Sequence, residues 1–340
     1  MDNQQPWRWT EETLPVELLV KIIAPSSPND AVGHVVAAVC RWVCRWWRDA
    51  IPPPTSPAIM YDFATIVAGA GLFSLLQWGR TEGLQWNELS LMAAARGGHL
   101  DMIKWMRAEG CPWNERVTAK AALGGHLEVL KWLRANGCPL NVWVVNNAVQ
   151  GGHMDVLEWV VGEEKMEPEQ YTWSVAAERG NIEMLEWLRA HQCPNDYLAI
   201  SAAAAKGQLT AIKWLVEHRL GGILNSRTLE MAAGYGHLGV VKWLRLQGGG
   251  RNCVWMISMA SRIAVNGHLE VLKYAIADGC PWDETVCSSA AEGGHLEVLQ
   301  WARENGCTWG IIRPGARNLI ARHPEVSKWA KQNGCPWRLK

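Results

Sequence analysis

The sequence predicts an all-α, helical-repeat protein, and three observations carry that expectation. First, the segment Gly125–Asn141, GHLEVLKWLRANGCPLN, returns about every 27 residues from near residue 71 to the end of the chain. Gly98–Asn114 reads GHLDMIKWMRAEGCPWN and Gly267–Asp283 reads GHLEVLKYAIADGCPWD. Self-similarity at a fixed period marks a stack of supersecondary units that share one lengthwise core. Second, each copy spaces its apolar residues at helical intervals between a Gly and a Gly-Cys-Pro break. Third, the 340 residues carry 33 acidic and 33 basic side chains. That balance removes the bulk electrostatic case for nucleic acid or anionic lipid. No apolar run approaches the roughly 18 residues that span a bilayer, and the polar start MDNQQPWRWTEE lacks the form of a secretory signal. A soluble, cytoplasmic, non-secreted protein is expected.

Taken in order, residues 1–13 read as a disordered tail. Leu14–Ala24 has apolar residues at 14, 18, 19, 22 and 23, a helical period with Pro15 in the first turn. PSSPND (25–30) is a turn whose Asn29 or Asp30 can cap a helix from about Ala31, and VCRWVCRWWRDAI (39–51) continues it or starts a third. A Pro-rich linker, residues 51–60, stops the helical module at 14–50. Cys40, Cys44 and His34 supply at most three metal ligands where structural zinc takes four, so no metal is expected. Arg41, Arg45 and Arg48 among Trp42, Trp46 and Trp47 read as a solvated helix face above an apolar one.

Leu14-Pro15-x-Glu17-Leu18-Leu19 with Ile22-Ile23, then Val43-Cys44-Arg45-x-Trp47-Arg48, resembles an F-box, with more residues between the two ends than that family usually has. The resemblance implies a three-helix module that docks on a Skp1-type adaptor, with Leu14, Pro15, Leu18, Ile22, Val43, Cys44 and Trp47 at or behind the docking surface. Read without the resemblance, the same helices are a cap that shields the first repeat, as repeat arrays require.

Residues 61–340 form the array of about ten units, the last one degraded. A tryptophan recurs from Trp78 to Trp329, with Tyr274 in one unit. Six residues before it stands a histidine in seven units (99, 126, 153, 237, 268, 295 and 323), replaced by Leu72, Asn181 and Gln208 elsewhere. The glycine before the histidine permits a left-handed turn between two helices. An acid two residues after it suits the start of the second helix. Ala pairs such as Ala94-Ala95 and Ala121-Ala122 let helices approach closely, and Asn or Asp after Cys-Pro can cap the next helix.

Equivalent histidines at one-repeat spacing read as a hydrogen-bonded ladder, since Asn and Gln substitute for them and neither suits a transition metal. The helix tryptophans read as core, and Trp86, Trp113, Trp282, Trp309 and Trp337 in the loops as buried too. Six of ten cysteines (111, 138, 193, 280, 307 and 335) share one position. Helices in contact lie roughly 8–10 Å apart and a disulfide needs Cα atoms within about 7 Å, so reduced, buried thiols are expected. Three stretches break the pattern: 162–173, 218–227 and 246–262.

The motif Ala-Ala-x-x-Gly-His-Leu-Glu-Val-Leu-Lys-Trp-Leu with Gly-Cys beyond it resembles the ankyrin repeat. These units are shorter than ankyrin units and lack the Thr-Pro-Leu-His box, which implies helix pairs with short loops in place of hairpin fingers. The fold class is thus an all-α, short ankyrin-like helical-repeat solenoid with an N-terminal three-helix F-box-like module.

No phosphate loop, metalloprotease helix or nucleophile–base pair is present, so neither enzyme activity nor a cofactor is expected. The combined resemblance implies a protein–protein interaction adaptor, the substrate-recognition subunit of a Skp1–cullin–F-box-type ubiquitin ligase. Trp-rich short repeats behind an F-box resemble proteins of large DNA viruses of amoebae, which implies a host-directed role. The alternative is a passive ankyrin-type scaffold. Target contact is expected on the first helices, where residues vary between units: Arg116 and Lys120, Trp143 and Asn147, Tyr171 and Trp173.

Overall fold

The computed structural model describes residues 57–81, 83–248, 252–310 and 316–337. These residues form twenty α-helices with one π-helical turn, and they contain no strand. The chain divides into two compact units between Val160 and Val161. The first holds α1 (Pro57–Gly69), α2 (Phe73–Thr81), α3 (Glu88–Gly97), α4 (Leu100–Ala108), α5 (Glu115–Gly124), α6 (Leu127–Ala135), α7 (Trp143–Gly151) and most of α8 (Met154–Gly162). The second holds α9 (Thr172–Arg179), α10 (Ile182–Ala190), α11 (Ala199–Ala205), α12 (Leu209–Glu217), α13 (Ser226–Gly234) and α14 (Leu238–Trp243). After the π turn Leu244–Gly248 it continues with α15 (Ile257–Val265), α16 (Leu269–Ala277), α17 (Thr285–Gly293), α18 (Leu296–Glu304), α19 (Ala316–Ile320) and α20 (Pro324–Gln332). The array starts at Pro57, inside the stretch expected to be linker, because proline is at home in a first helical turn.

Odd-numbered helices are the first members of each pair. Within each unit they pack side by side, α1 to α3 to α5 to α7 and α9 through α19, and even helices pack on their own partners, as α4 does on α3 and α18 on α17. The Ala pairs make this possible: Ala94, Ala95, Ala121 and Ala122 are fully buried. Asparagine or aspartate starts the first helices. Asn87, Asn114, Asn141 and Asp283 accept from the backbone N–H groups of Leu89, Arg116, Trp143 and Thr285 at 2.9–3.1 Å, satisfying a donor that the helix cannot. At the other end Gly98, Gly125 and Gly294 adopt φ of 75–81°, and the next residue's N–H closes back, as His99 does onto Ala94 at 3.1 Å.

The histidines form the ladder. In the first unit His99, His126 and His153 present Nε2 to the carbonyls of Gly69, Arg96 and Leu123 at 3.2, 3.0 and 3.1 Å. In the second, His237 and His295 reach Ala205 and Val265 at 2.9 and 3.1 Å. A carbonyl only accepts, so Nε2 carries the proton. Each ring lies against the left-handed glycine of the preceding repeat; a Cβ on Gly98 would fall 2.5 Å from His126. Gln208 repeats the bond, to Glu178 at 3.2 Å. Asn181 does not, since its shorter side chain turns back to cap Met184 of its own helix at 3.1 Å.

The recurrent cysteines are free, and Cys111, Cys138 and Cys307 point Sγ at the carbonyl of the preceding cap residue, at 3.5, 3.4 and 3.6 Å. Cys253 does the same to Asn225 at 3.5 Å, a member of the series hidden in the sequence by the inserted Gly run. Burial pushes the Cys111 thiol up to about 12 and those of Cys138, Cys193 and Cys280 to about 11, so these are packing groups and not nucleophiles.

The tryptophans serve differently from a simple core. Trp105, Trp132 and Trp301 are half-buried and lean on the loop tryptophans Trp86, Trp113 and Trp282, with ring centroids 5.1, 6.3 and 6.1 Å apart. An arginine covers the outer side of three loop rings: Arg80 over Trp86, Arg107 over Trp113 and Arg303 over Trp309, at 4.5, 3.8 and 4.6 Å. Trp86 and Trp309 are buried, but Trp113 and Trp282 keep partial exposure. Where the loop tryptophan is missing, His191 and His218 stack on Trp187 and Trp214 at 3.8 and 4.2 Å.

Candidate protein-interaction surface

The residue five before the first position of each Ala pair sits at the start of its first helix. In the first unit that column is Leu89, Arg116 and Trp143; in the second it is Tyr171, Leu198, Arg227, Ser258 and Thr285. All eight are exposed. The residues one and two places further on, such as Val117 and Thr118 or Val144 and Val145, are buried. A helix turns about 100° per residue, so positions i and i+4 share a face and i+2 lies opposite. The i+4 positions Ile66, Ala93, Lys120 and Asn147 accordingly extend the open face in the first unit.

The surface chemistry is uneven. Fourteen large apolar side chains are exposed among the described residues, and only Val216 and Leu246 belong to second helices or the π turn. The rest lie on the first helices, at their ends or in the loops leading into them. In the second unit they gather at the starts of four successive first helices: Tyr171, then Tyr197 and Leu198, then Ile223, then Val254, Met256 and Ile257. Tyr197 and Ile223 are 72% and 73% exposed. Charge is uneven there: Glu167 and Glu169 before Tyr171, and Arg219 and Arg227 around Ile223, are exposed. α11, AISAAAA, has no charged residue, and the nearby Asp196 is buried, accepting from Leu198 N–H at 2.8 Å and from the Ser174 hydroxyl. The outer faces of the second helices are charged, with surface pairs such as Lys273–Glu270 at 2.8 Å.

The irregular stretch at 218–227 shapes this edge. Gly221 and Gly222 have φ of 75° and 100°, and a Cβ on Gly222 would fall 2.2 Å from the Tyr197 carbonyl. The glycine pair lets the loop press against its predecessor, where Gly221 N–H reaches Asn195 Oδ1 at 3.0 Å, and this leaves Ile223 outward. The stretch at 246–262 is held by Asp278, which accepts from Trp255 Nε1 at 2.8 Å and pairs with Arg245.

Of the residues expected to meet a target, Arg116 and Tyr171 are exposed, Trp143 is 58% exposed, and Lys120 and Asn147 are half-buried beside them. Asn147 donates to the Trp143 carbonyl at 2.7 Å, which fixes its amide one turn on. Trp173 requires a correction. It is 1% exposed, its Nε1 donates to the Cys193 carbonyl at 3.4 Å, and it belongs to the core. It follows Tyr171 by two residues, so the two cannot share a helix face. Tyr197, Leu198, Ile223 and Leu89 escaped the sequence reading, although the column rule that gave Arg116 and Trp143 also yields Leu89 and Leu198. Leu14, Pro15, Leu18, Ile22, Val43, Cys44 and Trp47 lie outside the described residues.

Among the described residues no group of three His, Cys, Asp or Glu side chains is placed to hold a metal ion, and no helix is long and apolar enough to cross a membrane. A shallow cleft is lined by Gln300, Arg303, Glu304, Trp329 and Asn333.

No protein-family model matches the sequence. No curated protein matches it. Among solved structures, the chain is similar to the ankyrin repeat domain of human ASB11, at 16% identity and a TM-score of 0.34, over 72% of this chain and 98% of that one. It is also similar to the pentatricopeptide repeat protein PPR10, solved in complex with an 18-nt psaJ RNA element, at 13% identity and a TM-score of 0.40, over 94% of this chain and 56% of that one.

Proposed function

We propose that the chain is a protein–protein interaction adaptor that holds a target protein on the open edge of its first helices. The observation that supports this is the concentration of exposed aromatic and aliphatic side chains on that edge. Aromatic enrichment is the chemistry of an interface core, and exposed clusters of this kind are otherwise a liability for a folded protein. On the same reading, residues 14–50 dock on a Skp1-type adaptor through Leu14, Pro15, Leu18, Ile22, Val43, Cys44 and Trp47, and the chain is the substrate-recognition subunit of a Skp1–cullin–F-box-type ubiquitin ligase acting in the cytoplasm of a host cell.

Two variants separate the halves of the proposal. Co-purification from cells should recover a Skp1-type adaptor with the intact chain and lose it with Leu14→Ala/Pro15→Ala. A Tyr197→Ser/Ile223→Ser variant should keep the adaptor and lose a defined set of other proteins. Failure of the intact chain to recover any adaptor would sink the ligase half and leave a binding scaffold whose N-terminal helices cap the array. An unchanged partner list with Tyr197→Ser/Ile223→Ser would sink the surface.

A further inference from the structure

Four successive first helices of the second unit pack in order, α9 on α11 on α13 on α15, and each brings an apolar group to the same edge. They are Tyr171, then Leu198 beside Tyr197, then Ile223, then Ile257 beside Met256. Tyr171, Tyr197, Leu198, Ile223 and Ile257 are each more than half exposed. Charge punctuates the edge at two steps. Glu167 and Glu169 are exposed just before Tyr171, where Lys165 is turned onto the Gly162 carbonyl. Arg227 is exposed at the start of α13, and the acid one turn on, Glu230, pairs with Arg262 of α15 instead.

The spacing of these groups selects the shape of a ligand. Helices in contact lie about 8–10 Å apart. A polyproline II segment has three residues per turn and rises about 3.1 Å per residue, so one of its faces presents a side chain about every 9 Å. A β-strand repeats a face about every 7 Å, and the described residues offer no strand for it to pair with. A helix has its carbonyls bonded internally, whereas a polyproline II segment leaves them open. The phenol groups of Tyr171 and Tyr197 supply donors on this edge. We propose that the second unit binds an extended, proline-rich segment of its partner protein, with every third side chain apolar and seated on one repeat. A basic residue of that segment meets Glu167 and Glu169, and an acidic residue meets Arg227. The two charges stand two repeats apart, so about six residues separate them in the ligand. The assignment rests on the interaction surface proposed above and gives that surface its ligand class.

The test pans a phage-displayed library of random peptides, about 12 residues long to cover the four steps, on the full-length chain. Tyr197→Ser/Ile223→Ser, its fold checked by circular dichroism, serves as the counter-selection, and recovered peptides are measured by isothermal titration calorimetry. Peptides specific to the native chain should carry proline, an apolar residue at every third position, and an acid about six residues from a base. Tyr197→Phe should weaken the best of them about fivefold by removing one donor. Arg227→Glu should weaken it about tenfold or more, and a peptide whose acid is replaced by lysine should recover the loss. Selected peptides with apolar residues at helical spacing or at every second position would overturn the proposal. So would the absence of any peptide that distinguishes the native chain from Tyr197→Ser/Ile223→Ser, or binding indifferent to both Tyr197→Phe and Arg227→Glu. Loss of co-purifying proteins with Tyr197→Ser/Ile223→Ser would in each of those cases still uphold the surface, with a folded partner on it, so the two readings fail separately.

Discussion

Gly98→Ala isolates the contact that couples one repeat to the next. Gly98 sits at φ 78°, ψ 19°, where an alanine costs about 1–2 kcal/mol through its Cβ alone. That Cβ would also fall 2.5 Å from two atoms of the His126 ring, well inside the roughly 3.5–4.0 Å of ordinary contact. The ring must move, and its solvent-exposed bond to the Arg96 carbonyl at 3.0 Å is then lost, at about 0.5–1.5 kcal/mol, the net worth of a hydrogen bond whose partners can return to water. Gly98→Ala should therefore destabilise by about 1.5–3.5 kcal/mol. Gly110 is the control, because its φ is 79° but nothing lies within 4 Å of its added Cβ; Gly110→Ala should cost only about 1–2 kcal/mol. In a His126→Ala background the clash disappears, and Gly98→Ala should fall to the Gly110 value. Equilibrium urea unfolding followed by circular dichroism gives the midpoints, with the slope m checked in each variant because repeat arrays can lose two-state behaviour. Equal costs at Gly98 and Gly110, or no coupling between Gly98 and His126, would refute the ladder as the inter-repeat device.

Two further outcomes follow from the same geometry. Burial, then the charges of neighbouring His237 and His295, lower the His268 pKa below its ordinary 6.5. The folded chain therefore holds His268 neutral while the unfolded chain takes up a proton first, so its contribution is intact above about pH 6.5 and is lost as pH falls through the lowered folded value. Urea midpoints at pH 8, 7, 6 and 5 should decline below 7, and His268→Gln should flatten that decline; a midpoint that rises on acidification would contradict it. Trp143→Ala should change stability by less than about 0.5 kcal/mol, whereas Trp173→Ala should cost about 3–5 kcal/mol, measured by the same titration; similar losses at both would contradict their opposite placement.

The period made the scaffold legible. Once copies are aligned, a histidine that alternates with glutamine, or a cysteine that recurs in most loops, has to satisfy the same neighbour each time. The histidine–carbonyl bonds and the buried thiols are the physical form of that constraint. Other features were hidden for reasons that are also physical. Cys253 fills the recurrent cysteine position, but the insertion before it shifts the count. Asn181 occupies the histidine position yet caps its own helix, because its side chain is too short for the reach that Gln208 makes. Trp173 carries the bulk of a recognition residue and the wrong phase, two residues from an exposed tyrosine. Tyr197 and Ile223 stand in loops, where no helical period says which way a side chain points.

Why side chains are free to vary on one column follows from how the scaffold is bonded. Leu89, Arg116, Trp143, Leu198 and Thr285 each donate a backbone N–H to the cap of their own helix. The fold takes its hydrogen bond at this position from the main chain, and that bond does not depend on which side chain is attached. The two residues that follow are fixed by packing against neighbouring helices, the Ala pair by close approach, and the Gly-His step by the ladder. The column position alone combines a required backbone with an optional side chain, so leucine, arginine, tryptophan, tyrosine and serine can stand there without disturbing the stack. A partner that reads this column therefore reads the residues that the architecture leaves undetermined. Substitutions there should alter binding while the repeats beneath them stay folded.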